Sequence, residues 1–307
     1  MGIYSISRRY GVIMIAILSW SLMLSAVPMF SAQALDAKKD SIKGLTLSPL
    51  RTELNIQLGT SVSGVLTVTN STDKSMSVTM SAEEFSVINQ NYDYSFLPDS
   101  DIAKWVSFKP SGIDLKAGES KKISYTVGVP LNAEPAGAYI SLFASTRVDS
   151  STDAASSQQR VASLLYITVF SDVLGDSTQV GHVLSVSSPW LVSGRGTWSA
   201  TLQNAGKTHY RSNYEVKIDN IFGGTVASMS GNALILPSTI RAISDVLPLP
   251  QWPGVYKIVY TIGLGANAAS TVETRYMLYM PPIAIIVVVT VVIVLVLGLL
   301  RRRTSKH

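Results

Sequence analysis

The strongest constraint on the fold is a two-residue alternation of apolar and polar side chains that recurs along most of the chain. Leu66 and Val68 alternate with threonines, and Val78 and Met80 then alternate with serines and a threonine. This period places apolar side chains on one face of a β-strand and polar side chains on the other. No long stretch between residues 45 and 280 shows the 3.6-residue apolar period of a helix. We therefore predict an all-β structure for this region.

Turn signals divide the alternating runs into short strands. Asn70-Ser71-Thr72-Asp73 lies between the first two runs, and Asn and Asp suit turns because they bond to the nearby backbone. This arrangement predicts a hairpin of the two flanking strands. The second half repeats the pattern with a turn at Asn204 and, like the first half, has a late strand introduced by proline and glycine.

Many short strands separated by turns are typical of β-sandwiches. The repetition predicts two tandem immunoglobulin-like β-sandwich domains, at residues 45–171 and 178–280. Residues 149–159 are rich in Ser, Ala and Gln and have no apolar anchor, so they predict a loop between two strands.

The N-terminal residues have the composition of a secretory signal peptide. Arg8 and Arg9 precede an apolar run at residues 12–29, which ends in the small residues around Ala34. This order predicts cleavage after Ala34 and a signal peptide at residues 1–34. An uncleaved N-terminal membrane anchor is the alternative, because the apolar run is nearly long enough to span a bilayer.

A second apolar segment predicts a single C-terminal transmembrane helix at residues 283–300. Thr290 is its one polar side chain, and a helix of this length covers about 27 Å, close to the hydrocarbon thickness of a bilayer. Tyr276 and Tyr279 precede it at the position of an interfacial aromatic belt, and a basic tail follows at residues 301–307. The positive-inside rule then predicts a single-pass protein of the cell membrane, with an N-terminal ectodomain outside and a cytoplasmic C terminus.

Charge and cysteine content exclude several classes of protein. The formal charge of +5 comes from the two ends of the chain, because the 20 acidic residues all lie between residues 35 and 280, where they balance the basic ones. The net positive charge therefore reflects the membrane topology of the two chain ends and gives no argument for a nucleic-acid partner. The absence of cysteine excludes disulfides, thiolate metal sites and a lipid-modified N-terminal cysteine.

The order of motifs resembles that of the WxL-interacting cell-surface proteins of Gram-positive bacteria. The motifs that carry the resemblance are residues 47–50, 65–74 and 113–122 in the first half, and residues 202–209, 221–224, 236–238 with Arg241, and 252–256 in the second. The resemblance implies an N-terminal domain that binds cell-wall peptidoglycan or an associated polymer. It also implies a membrane-proximal domain that binds another surface protein.

Tyr92, Tyr94 and Trp105 are the candidate ligand-binding residues. They lie in or after an irregular stretch, residues 89–96, in which tyrosines stand among Asn and Asp. Aromatic rings can stack on sugars, and amides and hydroxyls can bond to sugar hydroxyl groups. The alternative is that these rings anchor the loop to the core of the sandwich.

We predict no catalytic, cofactor-binding or metal-binding residues, because His182, His209 and His307 are far apart in the sequence and have no neighbouring ligand at metal-site spacing. The expected function is that of a non-enzymatic cell-envelope scaffold or adhesion protein. One alternative is a chaperone-like assembly module for exported proteins, whose mark is an unpaired edge strand in the first domain. A wall-active hydrolase is the other.

Overall fold

The computed structural model describes residues 44–146, 159–172, 179–265 and 270–304. These residues form two β-sandwiches and one C-terminal α-helix, so the predicted fold of two tandem immunoglobulin-like sandwiches followed by a single helix is confirmed. The predicted signal peptide, most of the predicted loop at residues 149–159 and the last three residues of the predicted tail lie outside the described residues.

Ten strands and a short 3-10 helix, Ala103–Trp105, build the first sandwich. The strands are β1 (Leu45–Ser48), β2 (Arg51–Gln57), β3 (Ser61–Asn70), β4 (Met76–Val87), β5 (Tyr94–Leu97), β6 (Val106–Lys109), β7 (Gly112–Leu115), β8 (Ser120–Gly128), β9 (Gly137–Thr146) and β10 (Arg160–Phe170). The smaller sheet has the strand order β1-β3-β8-β6. The larger sheet has the order β2-β10-β9-β4-β5, with β7 also beside β4.

The first two strands form one segment that changes sheet at Pro49. β1 pairs with β3 in the smaller sheet, whereas β2 runs parallel to β10 in the larger sheet. Proline has no N–H for a strand ladder, so it suits such a crossing. The carbonyl of Pro49 accepts a hydrogen bond from the Ser163 hydroxyl at 2.7 Å. Because the chain changes sheet here, β2 pairs with β10 from Leu164 to Phe170 and covers that edge of β10.

The predicted hairpin of β3 with β4 is wrong, because these strands lie in opposite sheets. Each of the two strands has one buried face. The alternation of apolar and polar residues therefore does not show whether two strands are neighbours in one sheet or face each other across the core. The turn between them is tied to the chain after β7, since the Asn70 amide donates to the carbonyls of Lys74 at 2.7 Å and Lys116 at 2.9 Å. The turn therefore arches over the end of the sandwich.

Eight strands form the second sandwich. They are β11 (Gly181–Ser187), β12 (Leu191–Val192), β13 (Thr197–Asn204), β14 (Tyr210–Asp219), β15 (Thr225–Ile235), β16 (Thr239–Val246), β17 (Gly254–Ile262) and β18 (Thr271–Tyr279). The smaller sheet has the order β11-β13-β16, and the larger sheet has the order β12-β18-β17-β14-β15. Trp198 lies in the core between them, with its ring centroid 5.4 Å from that of Tyr260.

Helix α1 (Pro282–Thr304) begins three residues after the last residue of β18. Its segment Pro282–Leu300 is long and apolar enough to cross a membrane, and no other helix of the described residues is. The apolar side chains of this segment are largely exposed, so the sandwiches do not use them as core. Burial in a bilayer is the environment that such a surface suits.

Candidate binding surface

The larger sheet of the first sandwich is apolar on both faces. Its outer face carries four rings that are each less than a tenth exposed: Phe85 on β4, Tyr139 and Phe143 on β9, and Tyr166 on β10. Two further rings, Tyr94 and Phe96 on β5, continue this row to the edge of the sheet, and we call the six rings the aromatic face. The centroids of Phe85 and Tyr166 are 5.5 Å apart in an edge-to-face arrangement, which is a favourable geometry for aromatic pairs.

The second sandwich covers one part of the aromatic face. Leu234 and Leu236 pack against its buried rings. The backbone of the two sandwiches also meets directly, because the Gly137 N–H donates to the Lys207 carbonyl at 2.8 Å. We call this contact region the joint.

A tyrosine and a histidine form the polar centre of the joint. The Tyr139 hydroxyl oxygen accepts a hydrogen bond from the His209 backbone N–H at 3.1 Å and lies 3.3 Å from Nδ1 of the same histidine. Burial lowers the pKa of His209; Glu53 opposes this shift and Arg211 adds to it. A neutral imidazole can accept the tyrosine proton at Nδ1 and keep its own proton on Nε2. Neutral His209 is therefore the form that fits the joint.

Ion pairs surround the joint at its exposed rim. Lys207 Nζ lies 2.6 Å from Glu134 Oε1, and Arg211 pairs with Glu53 of β2. Exposed pairs of this kind add little stability because water and salt screen them. The buried rings are therefore expected to hold the sandwiches together, while the ion pairs favour one orientation.

Tyr92 belongs to the joint, so the sequence-based expectation that its ring is open to a sugar does not hold in this structure. Its side chain is only 7% exposed, and the Arg241 guanidinium lies 4.3 Å from its ring centroid. The hydroxyl accepts from the Leu236 N–H at 2.9 Å and bonds to the Thr239 hydroxyl at 2.8 Å. Tyr92 has a positive φ of 66°, and the neighbouring Gln90 carbonyl accepts from the Ala242 N–H of the second sandwich at 3.0 Å. Sequence alone could not show this, because the covering residues lie far away in the chain.

Acidification is expected to weaken the joint through His209. Because folding lowers the pKa of His209, the neutral side chain stabilises the folded state. This contribution is fully present above the unfolded pKa of about 6.5 and is lost as the pH falls through the folded pKa. Urea unfolding of the detergent-solubilised chain should therefore have a lower midpoint at about pH 5 than at about pH 7. The difference between the urea midpoints at the two pH values should shrink in His209→Gln. It should persist in His182→Gln, which changes an exposed histidine. An unchanged pH dependence in His209→Gln would contradict this assignment.

The other part of the aromatic face is open to solvent. Tyr94 and Phe96 are each 38% exposed, although Phe96 still contacts Phe143 at 5.1 Å between centroids. The Arg160 guanidinium lies 3.4 Å from the centroid of Phe143 and covers that ring. The exposed aromatic surface therefore lies along β5, at the edge of the sheet.

Strand β5 has a hydrogen-bonding partner on one side only. It pairs with β4 from Glu84↔Leu97 to Val87↔Tyr94 and ends its sheet in the described part of the chain. The Ile88 N–H donates to the Asp93 carbonyl at 3.0 Å. Because antiparallel pairs alternate between hydrogen-bonded and non-hydrogen-bonded, the backbone groups of Tyr94 and Phe96 point away from β4. Within the residues that the structure describes, these groups form an unpaired edge.

Trp105 lies apart from this open edge. It ends the short 3-10 helix and packs, partly buried, against the core of the first sandwich. This placement agrees with the alternative that the ring anchors the loop. Of the three candidates from the sequence, only Tyr94 remains on the open surface, and its contact with a ligand stays a prediction.

The described residues contain no group of three or more His, Cys, Asp or Glu side chains that could hold a metal ion. His209 is part of the joint, and His182 lies exposed on β11.

Sequence reasoning missed the buried part of the aromatic face, although β9 carries a signal for it. Residues 138–144 read Ala-Tyr-Ile-Ser-Leu-Phe-Ala, so both alternating sets are mainly apolar, and all seven side chains are buried. A strand that is apolar on both faces is covered on both faces. This run therefore predicts an additional layer over the sheet, but it does not identify the second sandwich as that layer.

No family model and no curated protein matches this chain. Among solved structures, the chain is similar to the class 5 fimbriae chaperone CfaA, with 12% identity, a TM-score of 0.38, and coverage of 76% of this chain and 99% of that one. It is also similar to a chaperone–tip adhesion subunit complex, CsuC–CsuE, from Acinetobacter baumannii, with 13% identity, a TM-score of 0.37, and coverage of 77% and 99%. The chaperone DraB from E. coli matches at 15% identity and a TM-score of 0.33, covering 75% and 95%.

Proposed function

We propose that this chain is a membrane-anchored, non-enzymatic envelope protein that holds an extended segment of another exported protein by strand addition at β5. The observation that carries the proposal is the unpaired, aromatic edge of the first sandwich. An extended peptide can add a strand to such an edge, where backbone hydrogen bonds give affinity and alternate side chains give specificity. The chain would then act as a chaperone-like assembly module.

The composition of β5 supports this role. Edge strands of soluble proteins are commonly protected by charged side chains, proline or a covering element. β5 reads Tyr-Ser-Phe-Leu and has none of these. By contrast, the edge strand β2 carries Arg51 and Glu53, and the edge strand β6 ends at the charged residue Lys109. Among these edges, β5 is the one whose composition suits an added strand.

The side chains of β5 offer a specificity surface beside the backbone edge. Tyr94 and Phe96 point to the same face, since they are two residues apart in a strand. Their neighbours Phe85 and Phe143 hold them in place, with ring centroids 5.5 Å and 5.1 Å away. An added strand could therefore bury its own apolar side chains against these rings. We infer that the partner segment alternates apolar and polar residues.

The anchor completes the proposal. We infer that α1 crosses the cell membrane with the basic tail in the cytoplasm and both sandwiches outside, as charge asymmetry favours. The segment Pro282–Leu300 has the required length and composition. Such an anchor would keep the open edge on the outer side of the membrane, where exported chains emerge in an extended form.

Substitution at Phe96 tests strand addition. First, the photoreactive residue benzoylphenylalanine replaces Tyr94 in cells that express this chain. Cross-linking followed by mass spectrometry should then identify the partner segment. A synthetic copy of that segment should bind the purified chain about tenfold more weakly in Phe96→Pro than in Phe96→Ala, since only proline also removes the outward N–H. Both variants keep the hydrogen-bonded pairs of β5 with β4, as Phe96 is in a non-hydrogen-bonded pair.

The same pair of variants separates a second candidate function. The half-exposed rings of Tyr94 and Phe96 also suit stacking on a cell-wall sugar, which the resemblance to WxL-interacting proteins implies. Sugar stacking depends on the ring and not on the backbone N–H. Equal loss of peptide binding in Phe96→Ala and Phe96→Pro would contradict strand addition. If the parent chain also sediments with purified wall fragments, the result would favour peptidoglycan binding.

A further inference from the structure

One end of the second sandwich must lie close to the surface of the membrane if α1 crosses it. β18 ends at Tyr279, and only Met280 and Pro281 separate it from α1. Met280 is still tied to the sheet, since its N–H donates to the Val192 carbonyl at 2.8 Å, and the two steps from Met280 to Pro282 span at most about 7 Å. The headgroup layer on each side of the hydrocarbon core is about 5–8 Å thick. This end of the sandwich therefore has no room to stand clear of the headgroups.

The strand register shows which other segments lie at this end. Gly254, the first residue of β17, is opposite Tyr279, and Lys257 pairs with Asp219 at the end of β14. The turn that follows β14, residues 220–224, and the segment before β17 therefore lie at the same level as the start of α1. We call these two segments the membrane-proximal tips.

The membrane-proximal tips expose large apolar side chains. Phe222 is 90% exposed, and Ile221 and Trp252 are each 74% exposed. Turns are ordinarily built from small or polar residues, and nothing in this turn requires an aromatic ring. Trp, Phe and Ile are the side chains that enter the boundary between headgroups and acyl chains.

Both tips are held in place by hydrogen bonds. In the first, the Asn220 side-chain oxygen accepts from the N–H groups of Phe222 at 2.9 Å and Gly224 at 3.0 Å, and Gly223 takes a φ of 85° that glycine favours. In the second, the Trp252 carbonyl accepts from the Tyr256 hydroxyl at 2.8 Å. The exposed side chains are thus presented by ordered backbone, so little ordering is required when they meet a surface.

We propose that Ile221, Phe222 and Trp252 insert into the outer headgroup layer and dock the second sandwich on the bilayer that α1 crosses. This inference rests on the proposed membrane anchor. A lipid surface is the partner that the geometry favours, because the short link to α1 places the tips at headgroup depth. Docking would restrict the tilt of both sandwiches, since the joint connects the second to the first.

Spin labelling of the full chain in lipid vesicles tests this docking. The chain has no cysteine, so Phe222→Cys gives a single labelling site. Val272→Cys is the matched control, because Val272 is also exposed and apolar but lies seven residues before Tyr279 on β18, about 23 Å farther from α1. Val288→Cys, within α1, reports on the anchor itself. Accessibility to oxygen and to a water-soluble nickel chelate is then measured in vesicles of phosphatidylcholine and phosphatidylglycerol.

We expect the label at position 222 to be protected from the nickel chelate and accessible to oxygen, and the label at position 272 to be accessible to the chelate. Equal accessibility to the chelate at positions 222 and 272 would overturn docking. If the label at position 288 is lipid-exposed in that case, the anchor stands without docking, whereas chelate access at position 288 would reject the anchor as well. Spin–spin broadening at position 222 that disappears on dilution with unlabelled chain would assign the tips to a second copy and also overturn the proposal.

Discussion

Replacement of Tyr166 by alanine is expected to lower the free energy of unfolding by about 3–5 kcal/mol, the range for a large buried ring. The side chain is almost fully buried in the aromatic face. Its ring centroid lies 5.9 Å from that of Tyr139 and 5.7 Å from that of His209, so it contacts both sides of the joint. The cavity would form where the two sandwiches meet. Chemical denaturation of the chain in detergent measures the effect.

Phe96→Ala is the matched control for this substitution. Phe96 belongs to the same aromatic face but is partly exposed, so its removal leaves less of a cavity and should cost clearly less stability. We also expect Tyr166→Ala to separate the unfolding of the two sandwiches, because it weakens their contact. A loss below about 1 kcal/mol in Tyr166→Ala, or one equal to that of Phe96→Ala, would show that the buried rings do not hold the joint together.

Asn204→Ala is expected to lower the free energy of unfolding by about 2–4 kcal/mol, because it leaves buried backbone groups without partners. The Asn204 amide donates to the carbonyls of Thr208 at 2.9 Å and Ile235 at 3.0 Å. Its oxygen accepts from the Gly206 N–H at 2.9 Å, and the side chain is fully buried. The same denaturation experiment measures the effect.

Asn220→Ala is the control for the buried turn. Asn220 also accepts two backbone N–H groups, but its turn lies at the surface, where water can replace the side chain. Its substitution should cost about 1 kcal/mol or less. Similar losses for Asn204→Ala and Asn220→Ala would contradict the view that burial makes the Asn204 turn important.

The Asn turn is the structural element that the two sandwiches share. Asn70 and Asn204 are both fully buried, both end a strand, and both donate to the carbonyl four residues later. In each sandwich the turn connects strands of opposite sheets. The repeated motif in the sequence therefore predicted a repeated element correctly, although the hairpin predicted from its first copy was wrong.

The motifs that carry the resemblance to WxL-interacting proteins lie partly at the joint. His209 bonds to Tyr139, Leu236 donates its N–H to the Tyr92 hydroxyl, and Arg241 stacks on the Tyr92 ring. A structural role in joining two sandwiches explains these residues without a ligand. The membership of that family and the binding of peptidoglycan stay predictions.

The sequence by itself determined most of the strands and the apolar helix, because both follow from local patterns. Strand β5 (Tyr94–Leu97) was missed, since most of it lies within the stretch 89–96 that the sequence pattern indicated to be irregular. Alternation reports which side of a strand is buried, and an unbroken apolar run reports a helix that needs a lipid or protein cover. Only the tertiary structure decided which strands share a sheet, where Tyr92 lies and which edge stays open. These outcomes depend on contacts between residues far apart in the chain, such as Tyr139 and His209, which are 70 positions apart. A local period contains no information about such partners.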